Sequence, residues 1–284
     1  MAFAENRGAR IYWDEEGQGE PVLLVMGLGY TAHMWYRLRP HFAAHYRTLA
    51  FDNRGVGRSD VPPGPYSIEL MASDAAAVLD AAGLNSVHLL GVSMGGMIAQ
   101  EFALLYPQRV RSLILGCTTA GGPAAARAEP AAIEVLKARD MTPDQRAAAT
   151  LPFIYDLTTP RELIDEDLAV RRPWLPRPEG YAAQLQAIFS WEAYSRLPQI
   201  TAPTLVIHGQ SDRLVPPENA KLIAGRIPGA KLLMIPHASH LFVTDQPEAA
   251  IQAVLEFLGA HPESSLTNAG CFPRNHAREG AASC

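Results

Sequence analysis

Apolar positions in this chain follow two alternating patterns. Short continuous apolar runs, the mark of buried strands, fall near 21–26, 47–52, 86–91, 110–116, 203–208 and 231–235. Between them lie stretches with apolar residues three to four apart, including 68–82, 94–106, 217–227 and 246–258, as amphipathic helices require. Pro247 suits the first turn of the last of these. An opening hairpin is expected from 9–14 with a turn around Gly17-Gln18-Gly19. Strands alternating with helices predict an α/β domain, with a mostly parallel central sheet flanked by helices, over residues 1–260.

Two segments depart from the alternation. Residues 118–197 hold no convincing buried strand and are broken by Pro143, Pro152, Pro160, Pro173, Pro176 and Pro178. A structureless loop of that length is rare inside a compact domain, so inserted helices are expected. Residues 261–284 are rich in Ser, Asn, Gly and Ala with few large apolar side chains, and read as a disordered tail outside the fold.

The chemistry concentrates at strand ends. Gly91-Val92-Ser93-Met94-Gly95 sits between a strand-like run and a helix-like run. The chain must reverse there in very few residues, which forces Ser93 toward positive φ. Gly91 and Gly95 flank it because a Cβ at either position would crowd the neighbouring backbone. A hydroxyl on such a turn stands clear of the sheet at a helix N-terminus, a placement suited to a nucleophile. Serine is a weak nucleophile and needs a base, and the base needs a carboxylate to hold its tautomer. Downstream, the strand 203–207 runs into His208-Gly209-Gln210-Ser211-Asp212, and the next strand runs into Pro236-His237-Ala238-Ser239-His240-Leu241-Phe242. A carboxylate and two histidines therefore arrive on strand-end loops, where open α/β sheets carry out chemistry.

These segments resemble the α/β-hydrolase fold superfamily, in its esterase, enol-lactonase and cofactor-free haloperoxidase-like branch. The resemblance spans roughly residues 5–260. It is carried by Val25-Met26-Gly27-Leu28-Gly29, by Asp52 to Asp60, by Gly91 to Gly96, by His208 to Pro216 and by His237 to Phe242. It implies a nucleophile elbow with Ser93 as nucleophile, Asp212 as acid and His240, just before an apolar pair, as base. His237 is the competing histidine. One oxyanion donor is the N–H of Met94, immediately after the nucleophile at a helix N-terminus. The resemblance selects the N–H of Leu28 as the other. Many relatives carry His-Gly where this chain has Met26-Gly27, so any role of that histidine in orienting the loop is missing. The resemblance also makes 118–197 a helical cap, whose apolar residues, Phe153 and Trp191 among them, are candidates for substrate contact. Arg171-Arg172 offers either a site for a substrate carboxylate or a solvated face. His208 reads as a packing or supporting residue, and His33, His41 and His45 carry no specific signal. Asp52 and Arg54 are expected to bond the backbone of a turn.

The implied function is serine-triad hydrolysis of carboxylic esters or lactones through an acyl-enzyme, in the manner of a carboxylesterase. A 3-oxoadipate enol-lactonase-like hydrolase or a perhydrolase is the nearest alternative. A small-molecule receptor on a hydrolase scaffold is the alternative of another class.

Composition narrows the partners. A net charge of −5, from 24 basic and 29 acidic residues, argues against a general nucleic-acid surface. There is no apolar run long enough to span a membrane, and the first residues lack a signal peptide's apolar region. Cys117, Cys271 and Cys284 are odd in number and scattered, which fits a reducing cytoplasm better than a disulfide framework. No metal or cofactor is implied, since His237-x-x-His240 has no cysteine or acidic cluster beside it to complete a metal site. Oligomeric state is not legible.

Overall fold

The computed structural model describes residues 2–262. Its strands are β1 (Ala2–Asn6), β2 (Ala9–Glu16), β3 (Pro21–Val25), β4 (Arg47–Phe51), β5 (Val87–Val92), β6 (Val110–Gly116), β7 (Thr204–Gly209) and β8 (Lys231–Ile235). Its α-helices are α1 (Arg39–Ala43), α2 (Ile68–Ala81), α3 (Met94–Leu105), α4 (Pro130–Lys137), α5 (Pro143–Ile154), α6 (Arg161–Arg171), α7 (Pro178–Ser190), α8 (Glu218–Ala224), α9 (Phe242–Asp245) and α10 (Pro247–Gly259).

All eight strands join one sheet in the order β1-β2-β4-β3-β5-β6-β7-β8. Only the β1–β2 and β2–β4 pairs are antiparallel. The rest run parallel, so the C-terminal ends of β3 to β8 gather on one edge. Strands β3 and β7 are buried along their whole length, as strands covered on both faces must be. Alternate residues serve opposite layers. Leu23 and Val25 join a core with Met71, Leu79, Ile98 and Phe102 of α2 and α3. Val22 and Leu24 join a second core with Trp35, Phe42, Val254 and Phe257.

The opening hairpin differs from expectation. Its turn is Arg7-Gly8, both at positive φ (48° and 76°), and it joins β1 to β2. Gly17 instead carries the chain on toward β3, and it must be glycine because a Cβ there would collide with the carbonyls of Ala43 and Tyr46. The turn after β4 is built partly as expected. Asp52 accepts the amides of Ala32 (2.8 Å) and Arg58 (2.9 Å). Arg54, expected to bond backbone, chiefly grips the buried Asp74 carboxylate through two bonds of 2.6 Å. Sequence adjacency suggested a local partner, and packing supplied one from α2.

Helices α4 to α7 lie between β6 and β7 and reach the strand-end loops at several points. The Leu241 amide donates to the Ile154 carbonyl at 2.8 Å. Buried Asp167 on α6 accepts from Tyr36 (2.6 Å) and Thr244 (2.7 Å). Arg213 pairs with Glu129 at 2.6 Å. The tail expected from 261 onward lies, apart from its first two residues, outside the described residues. Among the described residues no helix is long and apolar enough to cross a membrane.

Candidate active site

Ser93 occupies the junction of β5 and α3 with φ 56° and ψ −122°. That conformation costs a non-glycine residue on the order of 1–3 kcal/mol, so neighbours must hold it. They do so on both sides. The Ser93 amide donates to the Gly116 carbonyl at 2.8 Å, and Thr118 Oγ1 donates to the Ser93 carbonyl at 2.7 Å. A Cβ on Gly91 would strike the Gly95 carbonyl, and one on Gly95 would strike that of Val25. The Ser93 hydroxyl has no hydrogen bond among the described residues and faces a cavity. His240 lines the same cavity.

Asp212 is buried on the loop after β7. Its Oδ1 accepts the amides of Leu214 (2.9 Å) and Val215 (2.8 Å). Its Oδ2 lies 2.8 Å from His240 Nδ1 and 3.2 Å from His208 Nε2. Burial alone would raise this carboxyl, but His240 and His208 beside it outweigh burial and hold it down at about 2. It is therefore ionised at neutral pH. Since Asp212 can only accept, the His240 proton in this contact sits on Nδ1, which leaves Nε2 as the basic nitrogen. His237 is exposed and takes part in no such contact, and its carbonyl accepts from Gln246.

The loop after β3 lies against the serine, since a Cβ on Gly27 would stand 3.0 Å from that of Ser93. Leu28 and Met94 both line the cavity. Among the described residues neither of their amides has an acceptor. Met94 opens α3, where the helix dipole favours negative charge. Unengaged amides beside a serine hydroxyl are the kind of donors that can meet a developing negative charge. The loop is held without the missing histidine, because Asn53 Nδ2 donates to the Met26 carbonyl at 2.8 Å and the Gly29 amide donates to Gln184 Oε1 at 2.9 Å. The sequence placed Asn53 in the motif after β4 without giving it this role, and it gave no sign of Gln184, since a lone amide side chain carries no local pattern.

The cavity measures about 880 Å3 and is roofed by α4 to α7. Trp191, Ile154 and Ile188 line it, with the Trp191 indole nitrogen committed to buried Glu101 at 2.8 Å. Phe153 does not line it. Its ring packs instead beneath the Arg213 guanidinium, 5.2 Å away, because consecutive residues on α5 point about 100° apart. The Arg171-Arg172 pair is split by the same geometry. Arg172 is exposed, 3.9 Å from Asp144. Arg171 is 9% exposed and lines the cavity, bonded to the Tyr30 hydroxyl at 3.0 Å and stacked over its ring. Among the described residues its Nε has no partner and no carboxylate pairs with it.

Among the described residues, one group of metal-capable side chains lies close together: Cys117, Asp212 and His240, with donor atoms within 4.8 Å. It fits a metal poorly. The Asp212 oxygens are already engaged, and burial together with Asp212 pushes the Cys117 thiol well above its ordinary range, against the thiolate a metal needs.

Comparison with known proteins agrees with this architecture. A model described as the alpha/beta hydrolase family matches residues 22–253. RutD of Azorhizobium caulinodans, whose name provisionally assigns carbamate hydrolysis, is 31% identical, over 91% of this chain and 98% of its own. The 3-oxoadipate enol-lactonase 2 of Acinetobacter baylyi is 30% identical, over 84% and 91%. Among solved structures, a thermophilic esterase from Thermogutta terrifontis superposes with a TM-score of 0.81 at 32% identity, covering 92% of this chain and 98% of that one.

Proposed function

The chain belongs to the alpha/beta hydrolase family, and from that premise we propose that it hydrolyses carboxylic esters or lactones with Ser93, His240 and Asp212. The observation that carries this reading is the 2.8 Å contact of His240 Nδ1 with Asp212 Oδ2, in a cavity shared with the strained serine and two unengaged amides.

In this mechanism Ser93 Oγ attacks the acyl carbon while His240 Nε2 takes its proton. Negative charge builds on the former carbonyl oxygen and is met by the N–H groups of Leu28 and Met94. Asp212 stabilises the imidazolium without taking its proton. The tetrahedral intermediate collapses, the C–O bond to the alcohol breaks, and His240 returns the proton to the departing alkoxide. Water then attacks the acyl-enzyme by the same route, releasing the acid and restoring Ser93. For a lactone the alcohol stays tethered to the acyl group, and one hydroxy acid leaves.

An organophosphonate tests this directly. Adduct formation at Ser93, with loss of turnover of 4-nitrophenyl esters by about 10^4-fold or more in folded Ser93→Ala, is the expected result. Labelling elsewhere, or near-normal activity in that variant, refutes the mechanism. A receptor on this scaffold would show at most a single turnover.

A second reading narrows the substrate to a carboxylate-bearing lactone or ester. It is favoured by the charge of the cavity wall, which holds Arg127, Lys137, Arg146 and Arg171 against one carboxylate, Glu134. Among the described residues, the buried Arg171 Nε has no acceptor. A substrate carboxylate would satisfy it with a charge-assisted bond.

A further inference from the structure

We propose that Gln184, on inserted helix α7, is a positioning residue for the oxyanion amides, so that the loop carrying Leu28 is correctly set only while α7 is seated. The inference rests on the serine-hydrolase reading above.

Gln184 is fully buried. Its carboxamide bridges two backbone groups of the main domain. Oε1 accepts the Gly29 amide at 2.9 Å, and Nε2 donates to the Arg54 carbonyl at 2.8 Å. Both ends are used, so the side chain has one orientation. Gly29 is itself buried with φ 71° and belongs to no strand or helix, and among the described residues this bond alone secures its N–H. The Leu28 carbonyl and the Gly29 amide share one peptide plane, and fixing the second fixes the first. On the other side of Leu28, Asn53 fixes the Met26 carbonyl, and the Tyr30 amide closes the turn on the Gly27 carbonyl at 3.3 Å. The Leu28 N–H is therefore clamped between two peptide planes, each held by a side-chain amide. One clamp belongs to the main domain and the other to α7.

Neighbouring contacts show how tightly α7 is seated. Gly180, one turn earlier on the same face, lies so close to the Gly55 backbone that a Cβ on it would strike the Gly55 carbonyl. A Cβ on Gly29 would stand 3.2 Å from the Tyr181 ring. A displacement of α7 large enough to admit a bulky substrate would break the Gln184 bonds, and its return would restore them. The roof of the cavity and the oxyanion loop thus act as one unit.

The test compares wild type, Ser93→Ala and Gln184→Met, the last keeping volume but losing both bonds. Turnover of a 4-nitrophenyl ester is measured alongside inhibition by an aryl trifluoromethyl ketone, whose serine adduct carries an oxyanion. Gln184→Met is expected to lower kcat by roughly tenfold to a hundredfold with KM within about twofold. Ketone affinity should fall by the same factor as kcat/KM, because the lost interaction acts only on the tetrahedral state. Unchanged kcat and ketone affinity in folded Gln184→Met, or a loss confined to KM, overturns the proposal. Should that variant fail to fold, amide hydrogen exchange in the wild type decides: slow exchange at Gly29 supports the clamp, and fast exchange refutes it. If turnover persists in Ser93→Ala, the parent reading fails instead. Ser93-dependent turnover with an indifferent Gln184→Met refutes only the clamp.

Discussion

His208 Nε2 stands 3.2 Å from Asp212 Oδ2, the same oxygen that holds His240 Nδ1 at 2.8 Å. The Nε2 of His208 also lies 2.8 Å from the Val215 carbonyl. Both neighbours only accept, so Nε2 carries the proton, and among the described residues buried Nδ1 has no partner. His208 is thus a donor that draws charge from the Asp212 carboxylate. Replacing it with leucine should strengthen the hold of Asp212 on protonated His240. The acid limb of kcat/KM is expected to move to higher pH by roughly half a unit or more. A pH–rate profile that stays in place, with stability changed alone, would reduce His208 to packing.

Of the two histidines on the loop after β8, His240 is the one that bonds Asp212. His240→Ala should be almost inactive, whereas His237→Ala, altering an exposed side chain, should keep activity within about threefold of wild type. Asp212→Asn should stay folded while losing most activity, since an amide cannot stabilise the imidazolium. Steady-state kinetics on the three variants checks these assignments together, and a dead His237→Ala would move the base by three residues.

Arg171 allows a discrimination by substrate charge. Arg171→Met removes a buried guanidinium that bears on the cavity, and should weaken kcat/KM for a carboxylated lactone by about tenfold to a hundredfold, the worth of a charge-assisted bond. Neutral esters of similar size should change by less than about threefold. Equal losses for both substrates would assign Arg171 to holding Tyr30 rather than to recognition.

Asp245 ties the loop carrying His240 to the inserted helices. Its carboxylate accepts the Ser239 amide and the Thr159 hydroxyl, each at 2.6 Å, and the Asp156 amide at 3.3 Å. Burial raises it to about 6 despite those bonds. A carboxyl raised above its ordinary 3.8 binds its proton more tightly folded than unfolded. Its cost to stability is absent below about pH 4, grows as pH rises toward 6, and reaches on the order of 3 kcal/mol above that. Asp245→Asn removes the titration. The Tm of the variant minus that of wild type should therefore be more favourable at pH 7.5 than at pH 4. A difference independent of pH would show that this carboxyl is not raised.

The sequence by itself determined strands β3 to β8 and their order along the chain. Buried strands declare themselves by unbroken apolar runs, and a serine between glycines at a strand–helix junction has few backbone conformations open to it. The positive φ of Ser93 and the strand-end positions of Asp212 and His240 followed from local rules of this kind. The β1–β2 hairpin did not, because the turn glycines around Gly17 and Gly8 look alike until the sheet decides which strands are neighbours. Other features depended on residues far apart in the chain. Gln184 meets Gly29, Arg54 meets Asp74, and Arg171 turns inward while Arg172 turns out. Such contacts arise from the packing of α7 and α6 over the strand ends and leave no periodic trace. Local pattern reports what each segment can become, whereas hydrogen-bond partners and cavity walls are set only when the layers close and every buried donor must find an acceptor.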